Sequence, residues 1–227
     1  MGKEVQVSGE EARHLLLSHR LKRGKKIKLQ GPDGQRYLAE VVAIDKGSLL
    51  ARAVEQLIVP SEQKIKTSLF QSVVSEKALD FIFQKGTELG LSEIILFNSA
   101  NTAAKLSDDI FKKKLERWNK ILGEAAKQSE RSKWPQLSFV KDLEGAIKLM
   151  TQEKVFLAGI DGKKFSSLAP NPLSLALVIG PEGGFTTEEL KKMQEVVNLQ
   201  NIWLGNFVLR AETAALAGLA VLGNMNI

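Results

Sequence analysis

The sequence predicts an α/β protein in two parts: a small β-barrel over residues 1–64 and a mostly parallel α/β domain over residues 65–227. Three observations support this. Short strand-like runs with turn signals between them fill the first 64 residues, and strands alternate with helices from residue 65 onward. The apolar run Leu173-Ser-Leu-Ala-Leu-Val-Ile179 fits a strand buried on both faces.

In the first part, Glu10 to Arg20 reads as a short helix capped by Ser8 or Gly9. Strands follow at 27–29, 37–44 and 49–54, separated by the turn segments Gly31-Pro-Asp-Gly34 and Asp45-Lys-Gly-Ser48. The boundary falls near Val59-Pro-Ser-Glu-Gln63, a polar stretch opened by proline. Thr67 to Val74 is the first strand of the second part. Ser75 then caps a helix whose apolar residues 78, 79, 82, 83 and 89 share one face, and Gly90 ends it. A strand at 93–97 precedes the longest helix, Asp108 to Ser129, where Phe111, Leu115, Trp118, Leu122 and Ala125 recur every three or four residues. The remainder reads as a short helix near 142–151, strands at 154–158 and 173–179, a helix from 187 to 198, a strand at 202–204 and a small-residue helix from 213 to 223.

Composition narrows the chemistry. The 227 residues contain no cysteine and two histidines, which excludes thiol catalysis, cysteine-ligated zinc and iron–sulfur clusters. His14 and His19 read as packing or surface residues, and no metal is assigned. The longest mostly apolar run, Ala214 to Gly223, is half a membrane span, and no export signal opens the chain, so a cytoplasmic protein is expected. The net charge of +6 is uneven. Residues 1–64 hold 12 basic and 8 acidic side chains, residues 65–150 hold 14 and 11, and residues 151–227 hold 6 and 7. Such a division suits a polyanion held by the front of the chain, and it suits solubility equally well.

Four segments could carry function. Ile179-Gly-Pro-Glu-Gly-Gly-Phe185 lies between a buried strand and a helix, where open α/β sheets bind small molecules. It lacks the lysine of a phosphate loop, and Glu182 would repel a pyrophosphate, so a ligand without phosphates is favoured; a tight structural turn would use the same residues. Thr186-Thr-Glu-Glu189 reads as a capping box. Leu204-Gly-Asn-Phe-Val-Leu-Arg-Ala-Glu-Thr213 also joins a strand to a helix, and its Arg210 and Glu212 are the only charged side chains after Glu195. They form either a site or a surface ion pair. Arg20 to Lys28 holds six basic residues in nine and no acid, suited to phosphates or to protecting a strand edge. At the end of the long helix, Arg131 and Lys133 either complement the helix dipole or grip RNA, with Trp134 placed to stack a base.

Gly180-Pro-Glu-Gly-Gly-Phe185, Leu204-Gly with Val208-Leu-Arg-Ala-Glu-Thr213, Gln84-Lys-Gly-Thr-Glu-Leu-Gly90 and Glu124-Ala-Ala-Lys-Gln-Ser-Glu-Arg131 together resemble the RsmE family of bacterial small-subunit ribosomal RNA methyltransferases, which make 3-methyluridine. The four motifs keep the family's order and spacing from about residue 8 to the C-terminus. The resemblance implies a PUA-like RNA-binding barrel and a SPOUT-class methyltransferase domain with a trefoil knot, S-adenosylmethionine as cofactor and a homodimer. It implies cofactor contacts from Leu157 and Gly159, from Ile179, Gly180, Pro181, Glu182, Gly183 and Gly184, and from Leu204, Gly205, Val208, Leu209 and Thr213. Catalytic roles fall to Arg210, which would stabilise charge on the uracil ring, and to Glu212, which would orient Arg210 or accept the proton. Arg20, Lys22, Arg23, Lys77 and Arg131 would contact ribosomal RNA of the small subunit.

There are departures from the family pattern. The family opens with an Arg-Phe-Phe-Val-like strand; this chain starts later, so an edge strand is expected to be missing. Ser18-His19-Arg20 keeps only the arginine of the family's Val-Leu-Arg, and Asn98-Ser-Ala-Asn-Thr102 stands where an arginine is common. The competing readings are a SPOUT enzyme acting on another RNA position and a non-catalytic RNA-binding assembly factor.

Overall fold

The structure is a computed structural model that describes residues 2, 4–19, 21–30, 35–58, 62–159, 162 and 172–224. The Gly31–Gly34 turn, Arg20, residues 59–61 of the expected boundary and the side chains of His14 and His19 lie outside the described residues. The chain divides into two compact units, Met1–Pro60 and Ser61–Ile227.

Strands of the first unit are β1 (Glu4–Ser8), β2 (Lys26–Gln30), β3 (Arg36–Asp45) and β4 (Ser48–Leu57), with α1 (Gly9–His19) after β1. They form one antiparallel sheet in the order β1-β4-β3-β2. Gly47, at a φ of +91°, makes the two-residue turn between β3 and β4, where an L side chain would be strained. Alternate residues Ala39 and Val41 on β3 and Leu49 and Ala51 on β4 join Leu21 and Ile27 in a small core. Glu4–Ser8, where no strand was read from the sequence, pairs with β4 along its whole length and adds the Glu4–Arg52 ion pair at 2.8 Å.

The second unit contains β5 (Lys66–Ser72), α2 (Glu76–Glu88), β6 (Glu93–Phe97), α3 (Asp108–Gln128), β7 (Gln136–Val140), α4 (Leu143–Leu149), β8 (Lys154–Gly159), β9 (Ser174–Ile179), α5 (Thr187–Met193), β10 (Leu199–Trp203) and α6 (Ala211–Asn224). Its six strands are all parallel, in the order β10-β8-β9-β5-β6-β7. Side chains alternate across the sheet. Leu69, Ile94, Leu96, Leu175 and Leu177 pack against α2, α3 and α6, whereas Phe70, Ile95, Phe97, Ala176 and Val178 pack against α4 and α5. Helices on both faces explain why β9 reads as an unbroken apolar run.

Three elements of this unit differ from the sequence reading. Gln136–Val140 is the edge strand β7, only half-buried and with Ser138 in its middle, so its apolar signal is diluted. The helix expected to reach residue 198 stops at Met193, and β10 begins at Leu199 rather than Ile202. Close approach of α6 to the sheet depends on small residues: a Cβ at Gly218 would lie 2.7 Å from Leu177 Cδ2.

Arg131 is tied into the second unit. Its side chain is 11% exposed and pairs with Glu62 at 2.8 Å, while its Nη1 donates to the carbonyls of Thr87 and Leu91, each at 2.8 Å. The guanidinium thus joins the end of α3 to the start of the unit. Burial pushes the Glu62 carboxyl up, but hydrogen bonding and charge attraction from Arg131, with the Lys133 N–H, outweigh it and hold the group below its ordinary 4.5. Arg131→Ala is expected to lower the unfolding free energy by about 2–4 kcal/mol in urea denaturation. Because the folded pKa of Glu62 is depressed, its contribution is complete above the unfolded value and is lost as pH falls through the folded one. The acid-side decline in stability is therefore expected to be shallower in the Arg131→Ala variant.

Candidate active site

Parallel pairing sends the carboxyl ends of β8, β9 and β10 to one edge of the sheet. Gly159 pairs with Trp203 and Leu157 with Val178, so Gly159, Gly180 and Leu204 leave the sheet within one residue of the same level. The loops after β9 and β10 therefore flank the end of β8 across two strand spacings, about 10 Å.

In the loop after β9, Gly184 N–H donates to the Pro181 carbonyl at 2.9 Å, closing a turn in which Gly184 takes a φ of +69°. A Cβ at Gly180 would lie 3.0 Å from the Phe185 ring, so glycine is what lets Phe185 fold beneath the turn and stack on Phe97 with centroids 6.3 Å apart. Thr186 and Glu189 form the capping box, with Glu189 N–H donating to Thr186 Oγ1 at 3.2 Å and Thr186 N–H to Glu189 Oε2 at 2.9 Å.

Contacts to this loop from the segment after β6 have no counterpart in the sequence reading. Asn101 Nδ2 donates to the carbonyls of Gly183 at 3.3 Å and Gly184 at 3.0 Å, and Ala100 N–H donates to Glu189 Oε1 at 2.8 Å. The Asn98 amide braces the same segment by donating to the carbonyls of Leu106 at 2.8 Å and Lys141 at 3.0 Å. From the segment after β5, Ser75 N–H donates to Glu182 Oε1 at 3.4 Å. Burial raises the pKa of Glu189, but the N–H groups of Thr186 and Ala100 outweigh it and keep the carboxyl ionised below its ordinary range. The only sequence signal was the departure at Asn98–Thr102, whose partners lie 82 to 89 residues away.

The loop after β10 is open. Gly205 has a φ of +149°, Phe207 and Val208 are 82% and 89% exposed, and Leu209 is half-buried. Arg210 is exposed and its carbonyl accepts from Ala214 N–H at 2.8 Å, starting α6. Glu212 is half-buried and Thr213 exposed, and no hydrogen bond or ion pair joins Glu212 to Arg210. Gly162, in the segment after β8, sits where a Cβ would overlap the backbone of Ile202 and Trp203. Lys22 and Arg23 are exposed between α1 and β2, Lys77 is exposed in the first turn of α2, and Trp134 is 56% exposed. A cleft of about 570 Å³ lies beside the glycine loop rather than on it, at the carboxyl ends of β6 and β7.

The donor set suits a zwitterionic or cationic ligand. Cβ atoms at Gly159, Gly184 and Gly205 would meet nothing within 4 Å, leaving room for a ligand to approach the backbone. Leu157 and Ile179 are buried in the cores on opposite faces of the sheet, and Glu182 is the one charged side chain of the loop after β9. Among the described residues no group of three His, Asp or Glu is placed to hold a metal, and no helix is long and apolar enough to cross a membrane.

Comparison with known proteins adds to this geometry. The RNA methyltransferase domain family matches residues 61–223. The ribosomal RNA small subunit methyltransferase E of Bacillus subtilis (strain 168) is 32% identical over 226 residues, covering 95% of this chain and 88% of that protein. The chain belongs to the ribosomal RNA small subunit methyltransferase E family. A second member, from Mesomycoplasma hyopneumoniae (strain 232), is 33% identical over 79% of this chain and 78% of its own length. The crystal structure of the family member from Neisseria gonorrhoeae, bound to S-adenosylmethionine, superposes with a TM-score of 0.81 at 26% identity, covering 98% of this chain and 92% of that one.

Removing the acceptor at position 189 strands two backbone N–H groups. Glu189→Ala is therefore expected to destabilise the second unit by about 1–3 kcal/mol, and Thr186→Ala by about 1 kcal/mol, in urea denaturation of the full chain.

Proposed function

We propose that this chain methylates N3 of a uridine in 16S ribosomal RNA of the small subunit, with S-adenosylmethionine as the methyl donor. The observation that carries the reading is the arrival of Gly159, Gly180 and Leu204 at one level of a parallel sheet edge, in a chain of this family. Leu157, Gly159, Ile179 to Gly184, Leu204, Gly205, Val208, Leu209 and Thr213 would hold the cofactor, chiefly through backbone groups. When bound, it supplies a methyl group carried on a positively charged sulfur.

The chain's own residues then have two tasks. Uracil N3 carries a weakly acidic proton that must leave as the nitrogen attacks, placing negative charge on the ring carbonyls. Arg210, exposed at the start of α6, can reach such a carbonyl with its planar fork. Glu212, two residues further along and not paired with Arg210, is the acceptor we assign to the N3 proton. Lys22, Arg23 and Lys77 offer exposed positive charge for phosphates, and Arg20 belongs to the same basic run. The first unit is assigned as a PUA-like RNA-binding barrel, the second as a SPOUT domain knotted as a trefoil. A homodimer acting in the cytoplasm, without a metal, completes the proposal.

Mass spectrometry of nucleosides after incubating the protein with S-adenosylmethionine and unmethylated small subunits tests it. The expected product is 3-methyluridine; a different methylated nucleoside, or none, contradicts it. Arg210→Ala is expected to lower kcat roughly 10²–10³-fold while cofactor affinity stays near wild type.

A further inference from the structure

We propose that Asn101 is a positioning residue for the cofactor, acting as a splint on the turn Pro181–Gly184; the proposal rests on the cofactor reading above. The turn itself is closed by one backbone hydrogen bond, from Gly184 N–H to the Pro181 carbonyl at 2.9 Å. Its Gly183-Gly184 pair has the widest backbone freedom of any dipeptide, so the sequence leaves the orientation of its peptides unfixed. The Asn101 amide group supplies what is missing by donating to both carbonyls, at 3.3 and 3.0 Å.

Peptide planarity carries this constraint to the other side of the turn. The Gly184 carbonyl and the Phe185 N–H belong to one rigid unit and point in opposite directions. Fixing the carbonyl toward Asn101 aims the Phe185 N–H away from it, and that N–H donates to no group among the described residues. It is thereby held ready for an acceptor on the ligand.

The splint has a firm base and a close seat. Ser99 N–H donates to Thr102 Oγ1 at 2.9 Å, the Thr102 hydroxyl lies 3.2 Å from that of Ser72, and Ala100 N–H donates to Glu189 at 2.8 Å. Both neighbours of Asn101 are therefore fixed, Ala100 to α5 and Thr102 to β5. A Cβ at Gly183 would lie 3.2 Å from the Asn101 Cβ, so the glycine permits the amide to reach the carbonyls.

The test compares full-length wild type with Asn101→Ala and Asn101→Asp, the latter placing a carboxylate against two carbonyl oxygens. Asn101 is exposed, so both variants are expected to fold with thermal midpoints near wild type. Titration calorimetry is expected to show S-adenosylmethionine binding weakened roughly five- to twentyfold in Asn101→Ala and more in Asn101→Asp, with affinity for small-subunit ribosomal RNA unchanged. In ligand-free protein, amide hydrogen exchange at Gly184 is expected to accelerate. Cofactor affinity within twofold of wild type, or equal losses for cofactor and RNA with a lowered thermal midpoint, overturns the proposal. Unchanged exchange at Gly184 also overturns it. If wild type itself fails to bind S-adenosylmethionine while Gly184 exchange still accelerates in Asn101→Ala, the cofactor reading fails and the positioning role falls with it.

Discussion

Parallel strand pairing is the constraint on which the second unit depends. Because all six strands point the same way, every loop that follows a strand emerges at one edge, and the register of β8 with β9 and β10 brings three of those loops to nearly one level. Helices cover both faces, so the edge is where backbone polar groups remain available to a ligand. Glycine at 159, 180, 184 and 205 keeps that edge clear of side chains or allows the turn to fold against its own aromatic residue. The same pairing sets the limit of local reasoning, since each of these glycines gains its meaning from strands distant in sequence.

Electrostatics divides the labour in the same sense. The basic surplus lies before residue 150, whereas the loops at the carboxyl edge bring few charges to the site. Where charge does occur near the glycine loop, it is anchored. Glu189 is held ionised by backbone N–H groups, and Glu182 accepts from Ser75. Arg210 and Glu212 stand apart from this network and do not pair with each other. Under the proposed reaction, a methyl donor with a cationic sulfur and an RNA base losing a proton would meet different parts of this arrangement: fixed backbone dipoles at one loop, side-chain charge at the other.

Much of the fold was legible because local signals and burial agree. The capping box at Thr186–Glu189, the Ser75 cap of α2 and the unbroken apolar run of β9 each reflect an environment that nearby residues determine. The elements that escaped lie where they do not. β1 and β7 are short edge strands, β1 mostly exposed and β7 half-buried, and α5 stops at Met193 with β10 beginning at Leu199. Arg131 looked like a cation at a helix end. Only the folded chain brings Glu62 and the carbonyls of Thr87 and Leu91 around it. Asn101 was visible only as a departure, because its partners at 183 and 184 are joined to it by topology alone.

The account turns on whether the loops after β9 and β10 form a single binding surface. Hydrogen–deuterium exchange of the full chain, recorded with and without saturating S-adenosylmethionine, tests this most directly. Joint protection of residues 180–186 and 204–210 at the same ligand concentration is the result the account requires. Protection of one loop without the other, or of the cleft at the ends of β6 and β7 instead, would contradict it.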